Sequence, residues 1–167
     1  MDYQSAVFEI GKYWDKRAVT FDADHDTENL EEWKTVLNEL LGDPCSKTLL
    51  DVGVGTGFLS NLLSEMGYSV TGVDISDEMM RYGIRRARMK NVPVFYLHAD
   101  GAHLPFLDDS IDYIVNARLI WTMPDPEKML AEWFRVLKPG GKVFCFNRMK
   151  EDYGLKRYGE KPLYGDE

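Results

Sequence analysis

Seven consecutive residues, Asp51-Val52-Gly53-Val54-Gly55-Thr56-Gly57, follow the apolar run Thr48-Leu49-Leu50 and precede a helical pattern. Glycine at alternate positions lets a chain turn tightly and brings its backbone close to a bound molecule, because no Cβ stands in the way. A buried strand that turns through such glycines into a helix N-terminus is the pattern of a nucleotide-cofactor site. The spacing is G-x-G-x-G, opened by an acid. In the dinucleotide fingerprint G-x-G-x-x-G the last glycine falls one position later, where this chain has Phe58.

A second acid, Asp74, closes the apolar run 69–73. It lies at about the distance where a doubly wound fold places the carboxylate that binds ribose hydroxyls. A carboxylate accepts hydrogen bonds from both hydroxyls at once. Turns collect glycine for structural reasons alone, and an acid at position 74 would otherwise serve as a helix cap. Ser76 already supplies that cap, so the ligand role is the stronger reading of Asp74. His98 and His103 flank Asp100, but one falls on a strand and one in a loop, with no cysteine or second carboxylate as an obvious fourth ligand. No metal site is expected. No Ser-His-Asp or Cys-His arrangement is evident, and no catalytic base is assigned.

Around these groups the chain has 167 residues, enough for one domain with a substantial core. Acids outnumber bases 28 to 20, for a net charge of -8. Binding to a phosphate backbone draws on Lys and Arg, so nucleic acid is disfavoured as a partner. The one basic cluster, from Arg81 to Lys90, reads as the solvated end of a helix that begins with Asp77 and Glu78. No apolar run of about 18 residues and no signal-peptide pattern occurs, so a soluble cytoplasmic protein without membrane partners is expected. Cys45 and Cys145 are far apart and read as reduced thiols.

The pattern of elements is alternating. Loosely helical spacing of Phe8, Tyr13 or Trp14, and Arg17 predicts a short helix near 3–19. Asp26 or Thr27 is expected to cap a second helix ending at Leu41, with Leu30, Trp33, Leu37, Leu40 and Leu41 on one stripe and Gly42 as its stop. Strands are predicted at about 47–52, 69–73, 94–98, 111–116 and 143–146, with helices at about 57–66 and 76–91. A last helix is capped by Asp125 with Pro126 at its first position, and carries Met129, Leu130, Trp133 and Leu137 on one face. Lys138-Pro139-Gly140-Gly141 reads as a type II turn before strand 5. Strands separated by helices imply βαβ units and a parallel sheet. The expected fold is therefore α/β and doubly wound, with helices on both faces. Residues 1–147 form the domain, 1–42 its N-terminal helical cap, and 148–167 a polar tail.

The glycine turn resembles motif I of the class I S-adenosylmethionine (SAM)-dependent methyltransferases, small-molecule branch. The resemblance extends over roughly residues 10–147. Tyr13-Trp14-Asp15-Lys16-Arg17-Ala18 with Phe21-Asp22 is similar to the family's entry segment Y-W-D-x-R-A-x-x-Y-D. Asp100-Gly101-Ala102-His103-Leu104-Pro105-Phe106, followed by Asp108-Asp109-Ser110-Ile111-Asp112, is similar to its D-A-x-x-L-P-F…D-x-S-F-D stretch. Leu137-Lys138-Pro139-Gly140-Gly141 matches the usual turn before strand 5.

The resemblance implies strand order 3-2-1-4-5 and SAM as cofactor. It implies that Gly53, Gly55 and Gly57 line the methionine and ribose part, with Asp51 near the ammonium group. Asp74 would bind the ribose hydroxyls, Ile75 flank the adenine, Asp100 with the Gly101 backbone take the adenine amino group, and Asn116 lie beneath the methionine moiety. Trp14, Phe21 and Trp121 are candidate pocket walls, and residues 1–25 are expected to close over the cofactor. The implied function is in-line methyl transfer to a small molecule. A non-catalytic SAM-binding or partner-binding module is the alternative, and an NAD(P)-binding oxidoreductase is disfavoured by Phe58. The family continues past strand 5 with a helix and two antiparallel strands, which positions 148–167 are too few to hold. A strand 5 edge covered by a second copy or by the tail, with weak or no methyl transfer, is expected on that account.

Overall fold

The computed structural model describes residues 2–21, 28–44 and 47–147. Helices α1 (Tyr3–Phe21) and α2 (Leu30–Leu41) precede β1 (Thr48–Val52). There follow α3 (Phe58–Glu65), β2 (Ser69–Asp74), α4 (Asp77–Lys90), β3 (Val94–His98), β4 (Ile111–Ala117), α5 (Pro126–Val136) and β5 (Leu137–Phe146). The five strands form one parallel sheet in the order β3-β2-β1-β4-β5. This is the doubly wound order expected from the sequence, with β1 and β4 side by side at the point where the winding reverses.

Alternation along the strands sends consecutive residues to opposite faces, and both faces are covered. Leu50, Val73 and Ile114 pack on one side with Met129, Trp133 and Val136 of α5. Leu49, Val70 and Val115 pack on the other with Leu37 and Leu41 of α2 and Leu59 and Leu63 of α3. The stripes differ from the sequence reading at their margins. On α2, Leu30 and Leu40 are exposed, and on α5 the buried set is Met129, Trp133 and Val136 while Leu130 is half out in solvent. Steps of three and four from each central residue define the face, and Leu130 and Leu40 fall about 100° away from it.

Capping follows ordinary chemistry. Asn29, rather than Asp26 or Thr27, caps α2 by accepting from the amides of Glu31 and Glu32; those two candidates lie outside the described residues. Ser76 caps α4 through the Met79 amide, and Asp125 caps α5 through Lys128. The turn at 138–141 does not precede β5 but interrupts it. Ile111 pairs with Leu137 and Tyr113 with Lys142, so the four intervening residues bulge opposite Asp112, with Gly140 at φ 80°. At this N-terminal edge of the sheet the Asp112 carboxylate accepts from the amide and hydroxyl of Thr48, at 2.9 and 2.8 Å, and from Lys138 at 2.9 Å.

Helix α1 lies against the start of α4, where Asp15 accepts from the Ser76 hydroxyl at 2.6 Å and the Glu78 amide at 3.2 Å. A Cβ on Gly11 would stand 3.3 Å from the Ile75 carbonyl, which measures how closely α1 crosses the end of β2.

Candidate cofactor site

At the C-terminal ends of the strands, beneath α1, lies a cleft of about 970 Å³ when the open space at its mouth is counted. Three carboxylates reach it from three neighbouring strands. Asp51 belongs to β1, Asp74 ends β2, and Asp100 follows β3.

The glycine turn is fixed by hydrogen bonds to the end of β2. The amides of Gly53 and Val54 both donate to the Val73 carbonyl, at 2.9 and 3.0 Å, and the Gly57 amide donates back to Val54 at 2.9 Å. Gly53, Gly55 and Gly57 all have positive φ, at 71°, 53° and 77°, a conformation that side chains disfavour. The Gly55 amide donates to one oxygen of Asp74 at 2.8 Å, and the Ser76 amide donates to the other at 2.9 Å. Asp74 is thus held in one orientation with a remaining lone pair on each oxygen. Burial raises its pKa, and the bonds from Ser76 and Gly55 oppose that rise.

Asp51 is fully buried and accepts from the Ser60 hydroxyl at 2.7 Å. Burial pushes its carboxyl up to about 7, against the lowering effect of Ser60, and the charge of Asp74 adds to the rise. Asp100 accepts from the Tyr3 hydroxyl, from the Ala102 amide at 3.0 Å and from His103 at 2.8 Å. Gly101 is packed so tightly that a Cβ would stand 2.8 Å from Val52, and its carbonyl accepts from the Trp133 indole at 3.1 Å. Ile75 is also in the wall. His98 pairs with Asp77 at 2.7 Å, so the two histidines serve different acids.

Two predicted residues stand elsewhere. Gly57 is not in the wall; a Cβ there would fall 2.1 Å from the Tyr96 hydroxyl, so its glycine is required by a neighbour behind the turn. Asn116 is fully buried outside the cleft and donates to Cys145 at 3.2 Å, while Ala117 and Arg118 take the wall position. Trp14 and Phe21 line the cleft, edge to face at 5.5 Å; Trp121 packs on Trp14 from the rim. Sequence reasoning missed Thr56, Leu119, Met123 and Tyr3. Tyr3 is the one with a legible signal, an aromatic at the start of a helix rich in them.

The lining combines two chemistries. Three carboxylates contribute acceptors, and an ammonium, a vicinal diol and an exocyclic amine are the kinds of donor that carboxylates take. Val7, Ile10, Trp14, Phe21, Leu119 and Met123 make much of the remainder apolar. The Thr56 hydroxyl, buried in the same wall and without a hydrogen-bond partner, is a further polar atom to be satisfied there.

The sequence and the fold both match known proteins. The family model of a methyltransferase domain matches residues 50–145. A demethylmenaquinone methyltransferase of Clavibacter sepedonicus is 31% identical over 140 residues, covering 83% of this chain and 55% of that protein. A SAM-dependent methyltransferase structure from Aquifex aeolicus superposes with TM-score 0.65 at 30% identity, covering 73% of this chain and 68% of that one. A Methanococcus maripaludis protein shares the fold, with TM-score 0.71 at 22% identity over 80% of this chain and 63% of that one. The chain spans about half the length of the curated relatives it matches. On its fold, its glycine turn and these matches, the chain belongs to the class I methyltransferase-domain family.

Proposed function

We propose that the cleft binds SAM and that the chain transfers its methyl group to a small, largely apolar acceptor. The observation that carries this reading is the arrangement of Asp51, Asp74 and Asp100 around the glycine turn, with Asp74 fixed by the Gly55 and Ser76 amides and free to accept from a ribose diol. Asp51 would hold the ammonium, Asp74 the ribose, and Asp100 with the Gly101 backbone the adenine amino group. SAM supplies an activated methyl on a sulfonium with a neutral thioether as leaving group. The protein's part is to bind, align and exclude water. Trp14, Phe21 and Leu119 form the dry wall against which an apolar acceptor would lie, and the demethylmenaquinone methyltransferases among the relatives support an acceptor of that kind.

The NAD(P) alternative is disfavoured by the turn itself, because Gly57 already occupies the N-cap of α3 at φ 77° and Phe58 opens the helix. No helix among the described residues is long and apolar enough to cross a membrane. Among the described residues β5 is an edge strand with apolar Val143 and Phe144, which supports association of two copies through it. Calorimetry with S-adenosylhomocysteine (SAH) and with NAD tests the cofactor. Labelled SAM with demethylmenaquinone tests transfer, and light scattering over a concentration series tests association. SAH binding without turnover on any acceptor would favour the non-catalytic module; NAD binding without SAH binding would overturn the reading.

A further inference from the structure

Tyr96 lies on β3, outside the cleft, and its ring enters between α3 and α4. Its hydroxyl donates to the Asn61 side-chain oxygen at 3.1 Å. Two glycines from different helix contexts make room for it. A Cβ on Gly57 would stand 2.1 Å from the hydroxyl, and a Cβ on Gly83, in the middle of α4, would stand 2.7 Å from the ring. Gly57 is the last residue of the glycine turn, and its carbonyl accepts from the Asn61 amide at 2.9 Å. The ring, Asn61 and the end of the turn thus interlock. A second glycine behind the turn, Gly72 of β2, leaves space for Val54, whose side chain would be 2.5 Å from a Cβ there. The side of the turn facing away from the cleft is therefore shaped by residues remote in sequence.

Glycine costs helix stability relative to alanine, so a glycine at the centre of α4 calls for a compensating contact. Tyr96 is that contact. We propose that Tyr96 is a positioning residue for cofactor binding: wedged beneath Gly57 and tied to Asn61, it fixes the Gly53–Gly57 turn in the shape that presents Asp51 and the Gly55–Asp74 bond to the cleft. The inference rests on the SAM reading above and adds a determinant of affinity that never touches the ligand.

The test compares three variants of the full chain with the wild type. Tyr96→Phe removes the hydroxyl and leaves the Asn61 oxygen without its donor; SAH affinity is expected to fall about 3- to 10-fold. Gly83→Ala pushes a methyl against the ring. Helix propensity alone would raise the melting temperature, whereas the wedge requires weaker SAH binding. Asp112→Ala, at the opposite edge of the sheet, is the control for destabilisation without change at the turn. Hydrogen exchange supplies a local readout: the amides of residues 53–57 should exchange faster in Tyr96→Phe and not in Asp112→Ala. If wild type fails to bind SAH, the cofactor reading falls. If wild type binds and Tyr96→Phe matches it in affinity and in exchange at the turn, the positioning role is overturned, whatever happens to Gly83→Ala.

Discussion

The Tyr3 hydroxyl donates to both carboxylate oxygens of Asp100, at 2.9 and 2.8 Å, across 97 positions of sequence. The contact ties the first turn of α1 to the end of β3, and Lys128 of α5 sits 4.0 Å above the Tyr3 ring. Burial and the Asp100 carboxylate both raise the Tyr3 pKa, so the phenol stays protonated and remains a donor throughout the working pH range. With Asp15 bonded to Ser76 at its other half, α1 is fastened over the cleft at two points.

The cover formed by α1 should therefore respond to ligand and to the loss of Tyr3. Hydrogen exchange over residues 3–21 is expected to slow when SAH binds. In Tyr3→Phe the unliganded protection should fall first at the N-terminal half, since the Asp15 contact persists. Protection indifferent to both changes would mean that α1 is a fixed wall and not a cover.

Asp74 has two parts in the proposed binding mode. Asp74→Ala would remove the proposed ribose acceptor and release the Gly55 amide together. Hydrogen bonds to a charged group are worth about 1.5–3 kcal/mol, so SAH affinity should drop at least about tenfold. Calorimetry at fixed salt measures it, and unchanged affinity would remove the ribose assignment.

Most of the fold was legible because strand alternation and helix caps are local signals. Asp74, Asp51 and Asp100 were legible for the same reason, each lying where a strand ends. The two residues outside the wall depend on packing. Gly57, whose φ of 77° already favours glycine, also makes room for Tyr96, a contact over 39 positions that no spacing rule reports. Asn116 sits at the end of β4 as expected, yet strand alternation directs it toward Cys145 on β5 and gives the wall to its neighbours. Arg118, at φ 60°, turns the chain into that wall, and nothing in its side chain announces a positive φ.

Asp51 predicts a pH dependence. Its carboxyl titrates near 7 when folded and at about 3.9 when unfolded, so between those values the folded state holds more protons. The stability contributed by this group is fully present below about pH 4 and is lost as pH rises through 7. A bound ammonium favours the ionised form, so SAH should bind more tightly as pH rises from 6 to 8, with proton release. Calorimetry in buffers of different ionisation enthalpy detects that release, and Asp51→Asn should abolish it. Proton release of equal size in the variant would place its source elsewhere.

Asp112 separates fold from function. Its carboxylate joins the first residues of β1, β4 and β5 through Thr48 and Lys138, at the edge of the sheet opposite the cleft. The Thr48 amide, then Lys138, hold its pKa well below the usual carboxylate range. Its stabilisation is therefore present above the unfolded value near 4 and is lost as pH falls below it. Asp112→Ala should cost about 1.5–3 kcal/mol at neutral pH, a fall of several degrees in melting temperature, and the difference from wild type should shrink in acid. SAH affinity should stay within about twofold, because sites this far apart without shared partners are nearly independent. A variant that keeps its melting temperature but loses SAH would show that the two edges of the sheet are coupled, and the assignment of Asp112 to the fold alone would fail.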